Sequence, residues 1–463
     1  MTETQLTPAA PAAQGGVWAV GRRWLTVGLV LTIAGAAFEA LAVATIMPAT
    51  VAELGGLGLY GWAFSAFMLA NLVGITIAGG AADRQGPAGP FLTGVALFTL
   101  GLIVAGLAPS MPVVIVGRAV QGLGGGFVSS VAYVAIGRGY PEATRPQMLA
   151  IISSAWVVPG LIGPALSGLV AELVGWRWVF LGLAPLMPLA ALFAWPALRR
   201  IGGSPQGGPQ WRRAGIAIAL AIGVGLAQTG LGPLPQPIAA LLIVGGVAIA
   251  VAALLQLLPA GSLLARRGLP AAVATAGLLN LAFFGVDAFI PLALVALRGQ
   301  TAALAGLALT AATITWTTGS WVQARLATRV RRSRMVATGL LLVAFGILVV
   351  TSVIAPAVPA ILATVGWAVS GLGIGLAFST LSLVALESAK PGQEGSAAAA
   401  IQLANQLGVS LGTAMGGAIV GAFGEQAVGA GLLIQFPLMA VVAVGAILTA
   451  LRIDRPRSEA GAG

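Results

Sequence analysis

The sequence contains no cysteine and no histidine among its 463 residues. These absences exclude disulfides, thiolate nucleophiles, metal sites built on imidazole and Ser-His-Asp triads. Hydrolytic chemistry therefore lacks its usual side chains. We expect a protein that is not an enzyme and that binds no metal.

Charged residues are also scarce, since 8% of the chain is charged and 58% is hydrophobic. Soluble domains carry roughly 25% charged residues, so most side chains here never meet water. The formal net charge is +11, but the positive residues lie between apolar runs, where they direct membrane topology. The composition predicts a polytopic protein of the lipid bilayer, without a nucleic-acid partner.

Long apolar runs dominate the chain. A helix that crosses a hydrocarbon core ~30 Å thick needs about 20 such residues. Continuous runs of this length favour helices over barrel strands. The sequence predicts an all-α fold with fourteen transmembrane helices, twelve being the main alternative. The fourteen runs cover residues 24–49, 60–82, 90–108, 112–137, 147–172, 178–198, 214–231, 236–258, 270–297, 302–326, 334–355, 359–386, 395–423 and 427–452.

The positive residues alternate from loop to loop. Twenty of the 23 Lys and Arg residues fall on one side of a fourteen-span topology. Arg177 and Arg298 fall on the other side, and Arg118 lies inside a span. Because cytoplasmic loops retain positive charge, we expect both termini in the cytoplasm.

An internal repeat divides the chain. Residues 116–126 match residues 365–375 at 8 of 11 positions, with an offset of 249. A chance match between glycine-rich helices is the alternative reading. The repeat predicts two parallel six-helix bundles related by a pseudo-two-fold axis, with a binding site between them near the midplane. The expected segments are a disordered tail (1–23), a first bundle (24–198), a loop (199–213), two inserted helices (214–258), a second bundle (270–452) and a tail (453–463).

Two carboxylates lie deep inside predicted spans. Glu39 and Asp287 are separated by 248 residues, within one residue of the repeat offset. A charge at the bilayer centre costs about 2.5 to 3.5 kcal/mol, so such residues face the bundle interior and often mark proton or substrate paths. We predict that both carboxylates take up and release protons. A structural carboxylate bonded to a neighbouring hydroxyl or backbone group is the alternative.

Arg118 is the third charge inside a span. Its repeat partner is Trp367, so the surrounding glycine framework packs without a charge at this position. We expect Arg118 to act on Glu39. The alternative is an arginine that extends to the membrane surface or binds carbonyl groups.

Further polar and aromatic residues inside spans predict a substrate cavity. Asn280, Phe284 and Asp287 share one helical stripe, which suits an amphiphilic ligand. A hydrogen bond between helices is the alternative for Asn280, and core packing is the alternative for each tryptophan. The other cavity candidates are Gln121, Trp156, Trp316, Trp367, Gln402, Asn405 and Gln406.

The fifth run contains two prolines, Pro159 and Pro164, followed closely by Gly168. Each proline removes a backbone hydrogen bond and bends the helix. We predict a hinge or gate in this span.

Several of these segments resemble motifs of the major facilitator superfamily, in its fourteen-helix drug/proton antiporter branch. Residues 115–124 resemble the fourth-helix motif, whose arginine the family associates with proton coupling. Residues 176–180 are similar to the entry of the sixth helix, and Glu39 precedes Pro48 by nine residues, as in the first-helix motif. Two further motifs supply gating residues by resemblance: Gly163, Pro164 and Gly168 in the fifth helix, and Gly80, Asp83, Arg84 and Gly86 in the hairpin between helices two and three.

The chain also departs from these motifs. Pro87 and Ala88 replace the basic pair of the hairpin, and Leu41 and Ala44 replace polar residues beside Glu39. The resemblance implies a monomer in the bacterial cytoplasmic membrane that exports hydrophobic or cationic small molecules in exchange for protons, with the proton gradient in place of a cofactor. Export of a lipid or an endogenous metabolite on the same fold is the alternative. A membrane enzyme or a channel is a more distant one.

Overall fold

A computed structural model describes residues 16–141, 144–203, 211–232, 234–388 and 394–454. Most of the predicted N-terminal tail, residues 204–210 of the predicted loop and most of the C-terminal tail lie outside these ranges. The regular elements in the described part of the chain are all helices. They are α1 Arg23–Leu54, α2 Trp62–Gln85, α3 Ala88–Gly106, α4 Met111–Gly139, α5 Arg145–Ser154, α6 Val157–Leu173, α7 Arg177–Leu183, α8 Leu186–Leu198, α9 Trp211–Gly230, α10 Gln236–Leu257, α11 Leu269–Asp287, α12 Ile290–Leu292, α13 Ala302–Leu326, α14 Arg332–Ser352, α15 Ile361–Ser388, α16 Glu394–Phe423 and α17 Val428–Ala450.

Within the described ranges, twelve helical segments are long and apolar enough to cross a membrane. The two remaining predicted spans are also helical. The fifth is divided into α5 and α6, just before Pro159, and the tenth is α13, a 25-residue helix that carries several threonines. The fold is all-α as predicted, and the count of fourteen spans stays a prediction.

Two bundles have matching helix contacts. In the first bundle α4 packs on α2 and α3, and α1 packs on α6 and α8. In the second bundle α15 packs on α13 and α14, and α11 packs on α16 and α17. Each pair in one bundle is related to its counterpart by a shift close to the repeat offset. The sequence repeat therefore corresponds to a repeat of helix packing.

The bundles meet along two seams, α2 with α16 and α6 with α13. Both seams are tight where α2 and α13 begin and where α6 and α16 end. A Cβ atom added at Gly61, just before α2, would collide with the carbonyl oxygen of Thr413 in α16. One added at Gly306 of α13 would lie 2.9 Å from the carbonyl carbon of Pro164 in α6. Glycine at these positions allows the backbones of the two bundles to touch.

The inserted helices α9 and α10 form a hairpin on the first seam. Helix α9 packs on α2 and also touches α16, whereas α10 packs mainly on α9. The Ser65 hydroxyl of α2 donates a hydrogen bond of 2.7 Å to the Gln228 side-chain oxygen of α9, and both side chains are buried. Leucines of α2, α9 and α16 form one apolar cluster along the same interface. The hairpin therefore covers the seam between α2 and α16.

Candidate functional site

The first bundle holds a buried ion pair at its centre. Arg118 of α4 pairs with the Oε1 atom of Glu39 in α1, and the two residues are 2% and 1% exposed. The same guanidinium donates to the Gln121 side-chain oxygen at 2.7 Å and to the Ala63 carbonyl at 2.9 Å. Arg118 and Gln121 contact each other because residues three apart share a helix face. The structure thus brings Glu39 and Arg118 together and adds Gln121 to them, while their roles stay predictions.

Helix α2 packs closely against this ion pair. The ring of Phe67 lies 4.3 Å from the guanidinium carbon of Arg118. This approach is possible because Gly122, one residue beyond Gln121, faces the Phe67 backbone without a side chain. Among the described residues, the second oxygen of Glu39 and the amide nitrogen of Gln121 are buried without a hydrogen-bond partner. Such groups are costly unless they have a partner in another state of the protein.

The second bundle holds a carboxylate with a neutral partner. The indole nitrogen of Trp367 in α15 donates a 2.8 Å hydrogen bond to Oδ1 of Asp287 at the end of α11. Asp287 is partly exposed, whereas Trp367 is fully buried. Trp367 follows Arg118 by the repeat offset, and Asp287 follows Glu39 within one residue of it. The two contacts are therefore counterparts, one with a cation and one without.

Aromatic rings surround the Trp367 contact. Phe283 stacks on Trp367 with ring centres 4.5 Å apart and planes 23° apart. Trp316 of α13 lies 6.3 Å from Phe284 and 5.5 Å from Phe378. Phe284, Trp316 and Phe378 are partly exposed, so the outer part of the cluster is less buried than Phe283 and Trp367. We name these five rings the aromatic cluster.

The predicted cavity amides have different surroundings. Asn280 donates to the Asn405 side-chain oxygen at 2.9 Å, and both are buried between α11 and α16. This is the hydrogen bond between helices that the sequence left open as an alternative for Asn280. Gln406 donates to Asn71 of α2 at 3.3 Å and joins the bundles, while Gln402 is exposed. Two buried amides satisfy each other, which removes them from the exposed surface of a cavity.

The three predicted tryptophans also differ in how exposed they are. Trp156 lies between α5 and α6 and is 48% exposed. Trp316 belongs to the aromatic cluster and is partly exposed. Trp367 has no exposed surface, so it acts on Asp287 and Phe283 and presents no face to a ligand.

The proline-rich segment of α6 forms part of the second seam. Pro159 and Gly163 are buried, and Pro164 faces Gly306 of α13. Gly168 lies against the backbone of α13, where a Cβ atom would contact Ala303. The segment thus joins the bundles, as a gate at this position requires. The predicted hinge itself stays a prediction.

The hairpin between α2 and α3 is held by an ion pair. Asp83 accepts a hydrogen bond of 2.7 Å from Arg138 at the end of α4, while Arg84 is exposed and Gly80 is buried. Gly86 ends α2 with a φ of +86°, a conformation that favours glycine. At the positions 249 residues later, Arg332 donates to Glu387 at 2.8 Å. The second bundle therefore repeats this ion pair with the charges reversed.

Tyr60 is a site residue that sequence reasoning missed. Its hydroxyl donates a 2.7 Å hydrogen bond to the carbonyl of Ala288, next to Asp287, and its ring lies 5.0 Å from Phe289. The side chain is fully buried and joins the first bundle to the second. A tyrosine in an apolar run gives little signal. The contact between Trp367 and Asp287 had a clearer signal in the sequence. In the repeat, Trp367 corresponds to Arg118 and Asp287 corresponds closely to Glu39.

Fold and packing together describe a membrane transporter with two repeated bundles. The sequence matches the profile of the Major Facilitator Superfamily over residues 25–413 and 273–463, and the chain belongs to this family. A relative named "Probable multidrug-efflux transporter" from Mycobacterium tuberculosis is 29% identical, over 98% of this chain and 99% of that protein. The multidrug transporter protein MdtP of Bacillus subtilis is 27% identical, over 88% of this chain and 75% of that protein.

Solved structures of other transporters share the fold. A bacterial homologue of the human lysosomal transporter Spinster, solved in an inward-facing and unoccupied conformation, has a TM-score of 0.69 and 16% identity. The alignment covers 94% of this chain and 98% of that one. A D-xylose-proton symporter has a TM-score of 0.66 and 14% identity, over 95% and 98% of the two chains. At these identities the likeness establishes the fold alone.

Proposed function

We propose that this protein exports hydrophobic or cationic small molecules in exchange for protons, by alternating access to a site between its two bundles. The single observation that carries the proposal is the pair of counterpart carboxylates, Glu39 and Asp287, one inside each bundle. The names of the relatives from Mycobacterium tuberculosis and Bacillus subtilis support drug efflux. The proton gradient supplies the energy, and no cofactor is needed.

Orientation follows from the positive residues. With both termini in the cytoplasm, the tight end of the two seams is the outer end, and the protein lies in the bacterial cytoplasmic membrane as a monomer. In this scheme the contacts at that end close the site towards the outside. At that end Tyr60 donates to Ala288, and Glu172 accepts a 2.9 Å hydrogen bond from the backbone of Ala303. Opening to the outside requires these contacts to break.

A proton acts in this scheme by competing with an internal cation or with a substrate. Protonation of Glu39 removes its charge from Arg118, which keeps the Gln121 and Ala63 oxygens as acceptors. Protonation of Asp287 removes the negative charge beside the aromatic cluster. Protonation of Glu39 changes the hydrogen bonds and charges between α1 and α4, and protonation of Asp287 changes those between α11 and α15. Either change can shift the equilibrium between two packings of the bundles.

Proton flux in liposomes tests the proposal. Purified protein is reconstituted with a pH-sensitive dye inside, and a cationic dye such as ethidium is added as the substrate. We expect substrate-driven proton flux in the wild type and none in the Glu39→Gln, Asp287→Asn double variant. Glu425→Gln, at an exposed carboxylate between α16 and α17, is the matched control and should leave the flux unchanged.

Two outcomes would overturn the proposal. Undiminished coupling in the double variant would remove the carboxylates from the mechanism. Flux that responds to lipids or metabolites but to no added drug would favour the alternative exporter, which the apolar and glycine-rich interior also fits.

A further inference from the structure

We propose that Asp287 binds the positive charge of the transported molecule directly, and that Trp367 is the positioning residue that leaves this carboxylate without an internal cation. The inference rests on the proposed function and deepens it. It assigns different roles to two carboxylates that occupy equivalent positions in the repeat. The ligand class is an organic monocation whose charge is surrounded by apolar groups.

The two counterpart contacts, of Glu39 and of Asp287, differ in charge. Glu39 is neutralised within the first bundle by Arg118. Asp287 accepts a hydrogen bond from the neutral indole of Trp367, and in the described part of the chain it has no ion-pair partner. An uncompensated carboxylate inside a membrane protein is costly. Within the described residues the compensating positive charge is thus left to a proton or a ligand.

The second step is how firmly Trp367 is held. The indole is fully buried and stacks on Phe283, so its N–H has a fixed direction towards Oδ1 of Asp287. One carboxylate oxygen is thereby oriented. Asp287 is partly exposed, and we assign its other oxygen to the ligand.

The third step is the chemistry of the surroundings. The partly exposed rings Phe284, Trp316 and Phe378 belong to the aromatic cluster that continues from the ring stacked on Trp367. Aromatic faces attract cations and also bury apolar groups. A divalent metal ion needs several oxygen ligands, whereas this site offers one carboxylate and rings. The site therefore favours a lipophilic organic cation.

Glu39 is excluded from the same role by its burial. It is 1% exposed, and its Oε1 atom is held by Arg118. A ligand cation would have to displace a guanidinium that has two further hydrogen-bond acceptors. We therefore assign ligand charge to Asp287 and leave Glu39 to the internal pair.

Equilibrium binding to purified, full-length protein in detergent tests the inference without any proton gradient. Tetraphenylphosphonium is the cationic probe, and triphenylphosphine oxide is its neutral counterpart. Asp287→Asn should weaken binding of the cation by about tenfold or more and leave the neutral probe within about twofold. Trp367→Arg places a cation beside Asp287, as in the first bundle. It should likewise weaken binding of the cationic probe and leave binding of the neutral probe within about twofold.

Trp367→Phe separates positioning from packing. It keeps a ring against Phe283 but removes the N–H, so we expect binding of the cation to weaken by roughly threefold to tenfold, with the neutral probe unchanged. A thermal unfolding transition close to that of the wild type shows that each variant is folded. Should Trp367→Arg fail to fold, Asp287→Asn and Trp367→Phe decide the question on their own.

Several results would overturn the inference. These are a wild type that does not bind tetraphenylphosphonium, an Asp287→Asn variant that binds it normally, and equal loss of both probes in a folded variant. Unchanged cation binding in Trp367→Phe would remove the positioning role. Suppose that the liposomes show no coupled proton flux while Asp287→Asn still weakens binding of the cationic probe alone. That result would reject proton exchange but keep the assignment of Asp287, so the two proposals can fail separately.

Discussion

The two bundles share a helix framework but differ in the charges at equivalent positions. Glu39 faces an arginine in the first bundle, and its counterpart Asp287 faces a tryptophan in the second. Glycines recur in α4 and α15 at the same offset and allow α2 and α13 to approach them closely. The comparison shows that small residues are what both bundles need for packing. The charges are additions to that framework, and each bundle carries its own set.

The largest effect is expected from removing the internal cation of the first bundle. Arg118→Leu leaves Glu39 buried without a partner, which costs about 3 to 5 kcal/mol unless the carboxylate takes up a proton. We expect transport to be lost and thermal unfolding to occur at a lower temperature. Adding Glu39→Gln should restore much of the stability but not the transport. Transport near the wild-type rate in Arg118→Leu would show that the two bundles do not differ in the way that we infer.

A second test compares the tight end of the seam with its neighbouring turn. Gly61→Ala brings a Cβ atom against the carbonyl oxygen of Thr413, so we expect closure of the outer end to cost about 1 to 3 kcal/mol and transport to slow. Gly58→Ala is the matched control, because a Cβ atom there meets nothing within 4 Å. Transport rates of the two variants in liposomes provide the measurement. Equal rates would mean that this contact does not limit closure.

A third test concerns the seam that the inserted hairpin covers. Gln228→Leu removes the acceptor that the Ser65 hydroxyl reaches in α9 and leaves it the Gly61 carbonyl at 3.1 Å, so it should lower the free energy of unfolding by about 1 kcal/mol. Gln256→Leu changes an exposed glutamine of α10 and should have little effect. Denaturation followed in detergent compares them. A variant at Gln228 as stable as the one at Gln256 would show that α9 is not anchored to α2 by this bond.

The smallest effect is expected from exchanging the residues of a surface ion pair whose polarity is opposite in the two bundles. Asp83 with Arg138, and Arg332 with Glu387, are partly exposed, so each pair contributes about 0 to 1 kcal/mol. Exchanging Asp83 and Arg138 gives the first bundle the polarity of the second, and thermal unfolding should then differ little from the wild type. A large loss of stability would mean that the direction of this charge pair is fixed by the rest of the bundle.

Most of the fold followed from the sequence because apolar runs of this length have few alternatives in a membrane. The repeat in the sequence has a counterpart in the helix contacts, and the charges inside spans singled out Glu39, Arg118 and Asp287, whose roles stay predictions. The division of the fifth span into α5 and α6 was less accessible, since proline predicts a bend but does not determine its extent.

Contacts between distant helices were harder to predict. Asn280 and Asn405 are separated by 125 residues, and only the packing of α11 on α16 makes them partners. Trp367 was expected to offer a stacking surface, because a tryptophan within a span is usually interpreted from its ring. Its N–H became informative only when α11 and α15 were in place.

The central claim is that a proton and an organic cation compete for Asp287. Calorimetry of tetraphenylphosphonium binding in two buffers of different ionisation enthalpy counts the protons that are released on binding. We expect proton release from the wild type and from the control Glu425→Gln, and none from Asp287→Asn. Cation binding without proton release in the wild type, at every pH tested, would contradict the account.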